Sequence, residues 1–163
     1  MKYLITPEEL KSNGFLNQNI DDQYITTALE EAQDIYLREI IGDNLYNKLL
    51  NHTSETPDIY DELIDNHVKY FLKYKIASLL CMVVNFKIRN AGVITQYSQD
   101  ITPTTMEDTK SVMNYFNGQA DFYANRLTKF LIQNSKSIPE YRCSCSEITS
   151  PNEKHPVCSI YLG

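Results

Sequence analysis

The longest stretch of the chain with no internal glycine or proline runs from Pro57 to Gly92, PDIYDELIDNHVKYFLKYKIASLLCMVVNFKIRNAG, and the rest must pack around it. Its spacing predicts one long helix, or two joined end to end. Thr56 is placed as N-cap and Pro57 at the first helical position, where a missing N–H goes unnoticed; Asp58, Asp61 and Glu62 complement the positive end of the dipole. Gly92, after Arg89 and Asn90, is placed as the stop. Tyr60, Leu63, Ile64, Val68, Phe71 and Leu72 share a face, with Asp65, Asn66, Lys69 and Lys73 between them. From Ile76 to Val84 nearly every residue is apolar, which predicts a helix covered on all sides, in a run far short of the ~20 residues that a membrane span requires.

A chain of 163 residues is one domain of comfortable size, and only 5 Gly and 6 Pro argue for helix over sheet. The expected class is all-α: a helical bundle around a long central helix over residues 1–141, with a short extended segment, then an irregular C-terminal arm over residues 142–163. The net charge of −6 argues against affinity built on neutralising phosphates. Met1 to Leu10 holds one lysine and no long apolar run, so no signal peptide is read there. Four cysteines, with Cys81 inside the apolar stretch, fit reduced thiols, and both features predict a protein made in a cytoplasm.

Thr6-Pro7-Glu8-Glu9 is a start signal for a first short helix, with Thr6 as N-cap and Glu9 closing a capping box. Gly14 is placed in the bend after it. Asp21 and Asp22 open a second helix to about Ile41, with Ile25, Ala28, Leu29, Ala32, Ile35, Tyr36 and Ile40 as its apolar stripe. Gly42 ends that helix and Asp43 caps a short third one through Leu50. Val93 to Tyr97 alternates and is rich in β-branched residues, predicting a short strand with no evident partner nearby. Thr105 starts a last long helix whose stripe of Met113, Phe116, Ala120, Tyr123, Leu127 and Leu131 should lie on the central helix.

Cys143, Cys145, His155 and Cys158 form C-x-C, nine residues, then H-x-x-C. Two readings stand: a tetrahedral structural Zn²⁺ site that orders a segment with little core of its own, or incidental thiols on an arm that docks on a partner. The spacing is not the usual C-x-x-C knuckle. No other cofactor is expected. Glu31 with Asp34, and Glu62 with Asp65, place carboxylates one turn apart, as Mg²⁺-dependent helical pyrophosphohydrolases do, but neither helix offers the further acidic positions such enzymes require, and the pairs read as solvated helix faces. His52 and His67 have no ligand partners at suitable spacing. Lys69, Lys73, Lys75, Lys87 and Arg89, interleaved with Tyr70, Phe71 and Tyr74, read as lysines coating a helix whose aromatics face the core. No phosphate-cradling or nucleophile motif occurs, so no catalytic residue is expected.

The opening LITPEELKSNGFL, the block IDDQYITTALEEAQDIYLREIIGDNLYNKLL, the apolar helix ending in KIRNAGVI and the final helix followed by IPEY resemble the head-to-tail connector (adaptor) proteins of tailed bacteriophages, closest to those of Bacteroides-infecting and crAss-like phages. The likeness spans about Leu4 to Tyr141 and leaves the arm unmatched. It implies a virion protein without chemistry, at the neck between head and tail. Its subunits would form a ring, typically of twelve copies, that extends the portal DNA channel and docks the tail-proximal ring, with genomic DNA passing through unread. An acidic conduit wall suits that role, since repelled phosphates slide past it. In such a ring Ile160, Tyr161 and Leu162 are the expected anchors on an adjacent subunit, and Val93, Ile94 and Tyr97 could pair as a strand with another chain. The competing expectation is a small zinc-binding helical module that recognises nucleic acid or protein through the Cys/His tail.

Overall fold

A computed structural model of the chain describes residues 2–12, 15–53, 57–89, 92–95 and 106–141; for 84–89 and 92–95 the description is of the backbone alone. The fold is all-α, as expected. Helix α1 (Pro7–Ser12) begins as its sequence predicts: the Glu9 N–H donates to Thr6 Oγ1 at 3.2 Å and the Thr6 N–H donates to Glu9 Oε2 at 2.9 Å. Helix α2 (Asp22–Glu31) is capped by Asp21, whose carboxylate accepts the Gln23 N–H. It runs without a break through a π-helical turn, Ala32–Leu37, into α3 (Arg38–Ile41). Gly42 stops it at φ 77°, a conformation that a side chain resists, and its N–H closes the last turn on Arg38 O. Gly42 is also the N-cap of α4 (Asp43–Leu50), so Asp43 occupies the first helical position rather than the cap expected of it. Its carboxylate pairs with Arg38 instead.

The π turn changes which residues reach the core. A regular helix from Ile25 would turn Ile35 inward; the observed line is Ile25, Leu29, Gln33, Leu37 and Ile41, all fully buried, while Ile35 is 55% exposed. Steps of four drift around a 3.6-residue helix, and one wider turn corrects the drift. Gln33 is thus a buried polar side chain, and it is used. Its Oε1 accepts the Leu4 N–H at 3.0 Å, and its Nε2 donates to Lys2 O at 3.1 Å and Tyr46 Oη at 3.2 Å, pinning the start of the chain to the π turn and α4.

The central helix comprises α5 (Ile59–Leu63), a second π turn (Ile64–Val68) and α6 (Lys69–Asn85). Its N-cap is Asp58, not Thr56, which lies outside the described residues, and Pro57 precedes the helix. The reason is a reciprocal capping box: Asp58 Oδ1 accepts the Tyr60 and Asp61 N–H groups at 2.8 and 3.1 Å, and Asp61 Oδ2 accepts the Asp58 N–H at 3.0 Å. The helix ends at Asn85, short of Gly92. Phe86–Arg89 forms strand β1, antiparallel to β2 (Gly92–Thr95). This pairing, Phe86 opposite Thr95 through Arg89 opposite Gly92, gives the expected strand the partner that the sequence alone did not reveal.

Helix α7 (Met106–Gln133) packs antiparallel along the central helix: His67 meets Phe130, Tyr70 and Tyr74 meet Tyr123, Lys75 reaches Asn117, and Ser78 reaches Met113. Its expected stripe is the inward one, with Ala120, Leu127 and Leu131 fully buried and Met113, Phe116 and Tyr123 partly so. With α2 and the first π turn on another side, α6 is covered from Ile76 through Leu80, apart from a partly exposed Leu79, before Met82 emerges. The chain then turns so that Ile138 and Tyr141 re-enter the core, and Tyr60 Oη donates to Glu140 at 2.8 Å. No helix among the described residues is long and apolar enough to cross a membrane.

Two stability predictions follow from buried polar groups. Replacing Gln33 by Leu strips partners from the Leu4 N–H and Tyr46 Oη, and should lower unfolding free energy by about 2–3 kcal/mol in chemical denaturation. His67, buried in the second π turn, lies tilted against the Phe130 ring at 4.3 Å, and its Nδ1 has no hydrogen-bond partner among the described residues. Desolvation and the nearby Arg126 charge push its pKa below the ordinary value near 6.5, against a smaller opposing pull from Glu62. The fold holds it neutral, so this contribution is intact above the unfolded pKa and is lost as pH falls below about 6.5. Melting temperature should drop between pH 7 and 5, and a His67→Phe variant should show a shallower dependence.

Candidate interaction surface

The chemistry-bearing groups among the described residues are largely committed to structure. Asp34 pairs with Arg38 at 3.1 Å and Asp65 with Lys69 at 2.9 Å, so one carboxylate of each helical acidic pair already has a cation one turn along. His52 corrects the expectation that it lacks partners: its Nε2 lies 3.1 Å from Asp61 Oδ1 and 3.4 Å from Asp58 Oδ1. Its side chain is nearly buried against the Tyr60 ring. Three potential metal-ligand atoms thus converge, yet both carboxylates already serve the capping box, and the histidine buttresses that cap. Cys81, partly buried in α6, has its thiol pushed up by burial, which keeps it protonated.

What stands out instead is a surface of aromatic rings. The Tyr123 ring lies 5.3 Å from Tyr70 and 5.2 Å from Tyr74, stacked on both, and Phe122 meets it edge-on at 5.3 Å. Tyr74 contacts Phe15 at 5.3 Å; Phe15 contacts Phe116 at 6.0 Å; Phe116 contacts Tyr115 at 5.5 Å. Seven rings therefore form one continuous group drawn from the loop after α1, from α6 and from α7. Its outer members are open to solvent: Tyr115 is 62% and Phe122 61% exposed, and Tyr70 and Val112 are exposed beside them. Burial, with its neighbouring phenols, raises the Tyr74 pKa, so the hydroxyl stays protonated and the face uncharged at neutral pH. These exposed rings make this face the candidate interaction surface.

The face borders an open groove of about 330 Å³ lined by Ile5, Glu9, Asp65, Lys69, Tyr70 and Lys73. Lys69 Nζ bridges Glu9 at 2.8 Å and Asp65 at 2.9 Å across the groove. Burial alone would raise the Glu9 carboxyl, but the hydrogen bonds from Lys69 and the Thr6 N–H hold it below its usual value. Lys73 lies 4.4 Å over the Phe15 ring, a cation–π contact at the edge of the aromatic face.

Of the residues singled out from sequence, Val93 and Ile94 lie in β2, opposite Ile88 and Lys87, so the pairing found for them is within the chain. Tyr97, Cys143, Cys145, His155, Cys158, Ile160, Tyr161 and Leu162 lie outside the described residues. The reading that Tyr70 faces the core is corrected: Phe71 does, and Tyr70 sits one position round the helix, on the surface. Tyr115 and Phe122 lie off the inward stripe of α7, so core periodicity does not single them out. Their signal was a second stripe, Val112, Tyr115, Gln119 and Phe122, with no polar majority to mark it as a solvated face.

If these rings serve contact rather than folding, removing the outermost ones should leave the fold nearly unchanged. Tyr115→Ala and Phe122→Ala should each shift unfolding free energy by less than about 0.5 kcal/mol, whereas Tyr123→Ala, which removes the shared stacking partner, should cost about 2 kcal/mol. Denaturation curves of the three variants check this.

No curated protein and no solved structure matches the chain. One family model does, over residues 37–150, more than two-thirds of the sequence, and it spans the whole central helix and α7 with most of the aromatic face. The chain belongs to that family, a family of unknown function (DUF6712).

Proposed function

We propose that the chain is a structural subunit of a head-to-tail connector ring in a tailed bacteriophage, extending the portal channel and docking the tail at the neck of the virion. The observation that carries this reading is the continuous aromatic face on α6 and α7. A subunit that works alone gains nothing from presenting Tyr115 and Phe122 to water, while a ring subunit must offer its neighbour an apolar patch. Two further features agree. The resemblance to phage connector proteins runs through the same helices that build the face, and the net charge of −6 suits a channel wall past which DNA slides without sticking. Carboxylates engaged in caps and ion pairs fit a protein whose task is assembly, with no reaction of its own.

The test is assembly. Light scattering coupled to size exclusion, with negative-stain imaging, should find closed rings of many copies, either alone or on mixing with the portal ring of the same phage. A protein that stays monomeric at every concentration and does not bind the portal ring would end this reading.

A further inference from the structure

We propose that the aromatic face of one subunit receives the Ile160-Tyr161-Leu162 segment of a second copy of the chain. This rests on the ring reading above and names the contact that would close it. The face is a ready-made receptor: the stacked Tyr70, Tyr74 and Tyr123 rings form its floor, and the exposed Phe122 and Tyr115 rings flank it. Because the floor rings already hold one another, little side-chain freedom is lost when a ligand settles on them.

The occupant is argued from the chain itself. Residues 142–163 contain many serines, prolines and charged residues, and Ile160-Tyr161-Leu162 is their longest apolar run. An aromatic residue between two branched aliphatic ones is the composition that stacks on tyrosine and phenylalanine rings. Length allows the segment to leave its own subunit. Tyr141 is anchored in the core near the end of α7, with Glu140 bonded to Tyr60. Phe122 and Tyr115 lie 11 and 18 residues back from Gln133 along α7, or roughly 17 and 27 Å at helical rise. The 18 residues between Tyr141 and Ile160 can extend to roughly 60 Å, more than twice what the subunit's own face requires. That surplus is enough chain to reach an adjacent copy, which the ring reading supplies. Donor segment and receiving face are different surfaces, so the contact is head-to-tail, the kind that propagates around a ring.

Photocrosslinking of the full chain tests this. With Phe122→benzoylphenylalanine, irradiation at a concentration where the protein is oligomeric should give a product of twice the subunit mass, in which mass spectrometry finds α7 joined to a peptide containing residues 160–162. Adding Tyr161→Ala and Leu162→Ala should lower the yield of that product at least about tenfold. A crosslink to the same segment at single-subunit mass overturns the proposal, as does a crosslink to any other segment in an oligomer that still forms; in that last case the ring reading survives. A wild-type chain that scatters as a monomer at every concentration removes both together.

Discussion

The antiparallel seam between α6 and α7 governs this molecule. It takes up one side of the central helix, and α2 with its π turn takes up another, so the apolar run from Ile76 to Leu80, Leu79 in part, is covered by the chain's own helices. The same seam fixes the register of Tyr70, Tyr74 and Tyr123, whose stacking depends on two helices meeting at one height. Among the described residues nothing covers the outer side of the pair, and the aromatic face is what it displays. Fold and candidate site are therefore consequences of one packing choice rather than two separate designs.

Local chemistry in the sequence revealed much of the fold. Thr6, Pro7 and Glu9 fix the start of α1 because a capping box is satisfied within four residues, and Gly42 fixes a stop because few other residues tolerate its φ. The inward stripe of α7 was legible for the same reason: its helix is regular throughout. Element ends depart from expectation where a better-satisfied pairing lies close by. Asp58 displaced Thr56 as the cap because Asp61 stands three residues on to reciprocate, and Phe86–Arg89 left the helix because Gly92–Thr95 offered it a ladder.

The candidate site was less legible, for a physical reason. Periodicity reports which residues face the core, and it is silent about apolar residues that face elsewhere; Tyr115 and Phe122 belong to the second class. His52 gains its partners, Asp58 and Asp61, because the start of the central helix lies beside it, which no spacing rule encodes. The buried Gln33 shows the same limitation in the interior, where a polar residue can be the best available one once two backbone groups and a phenol need partners.

The two widened turns have an evolutionary corollary. Each behaves as a regular helix that has absorbed one surplus residue, so residue count and physical length disagree by one at Ala32–Leu37 and again at Ile64–Val68. Kin of this chain that lack the surplus residue would keep the same shape yet fall out of phase in any comparison that forbids gaps inside helices. Single-residue gaps at these two places would then be the expected mark of shared ancestry, and distant members could pass unrecognised by methods that confine insertions to loops.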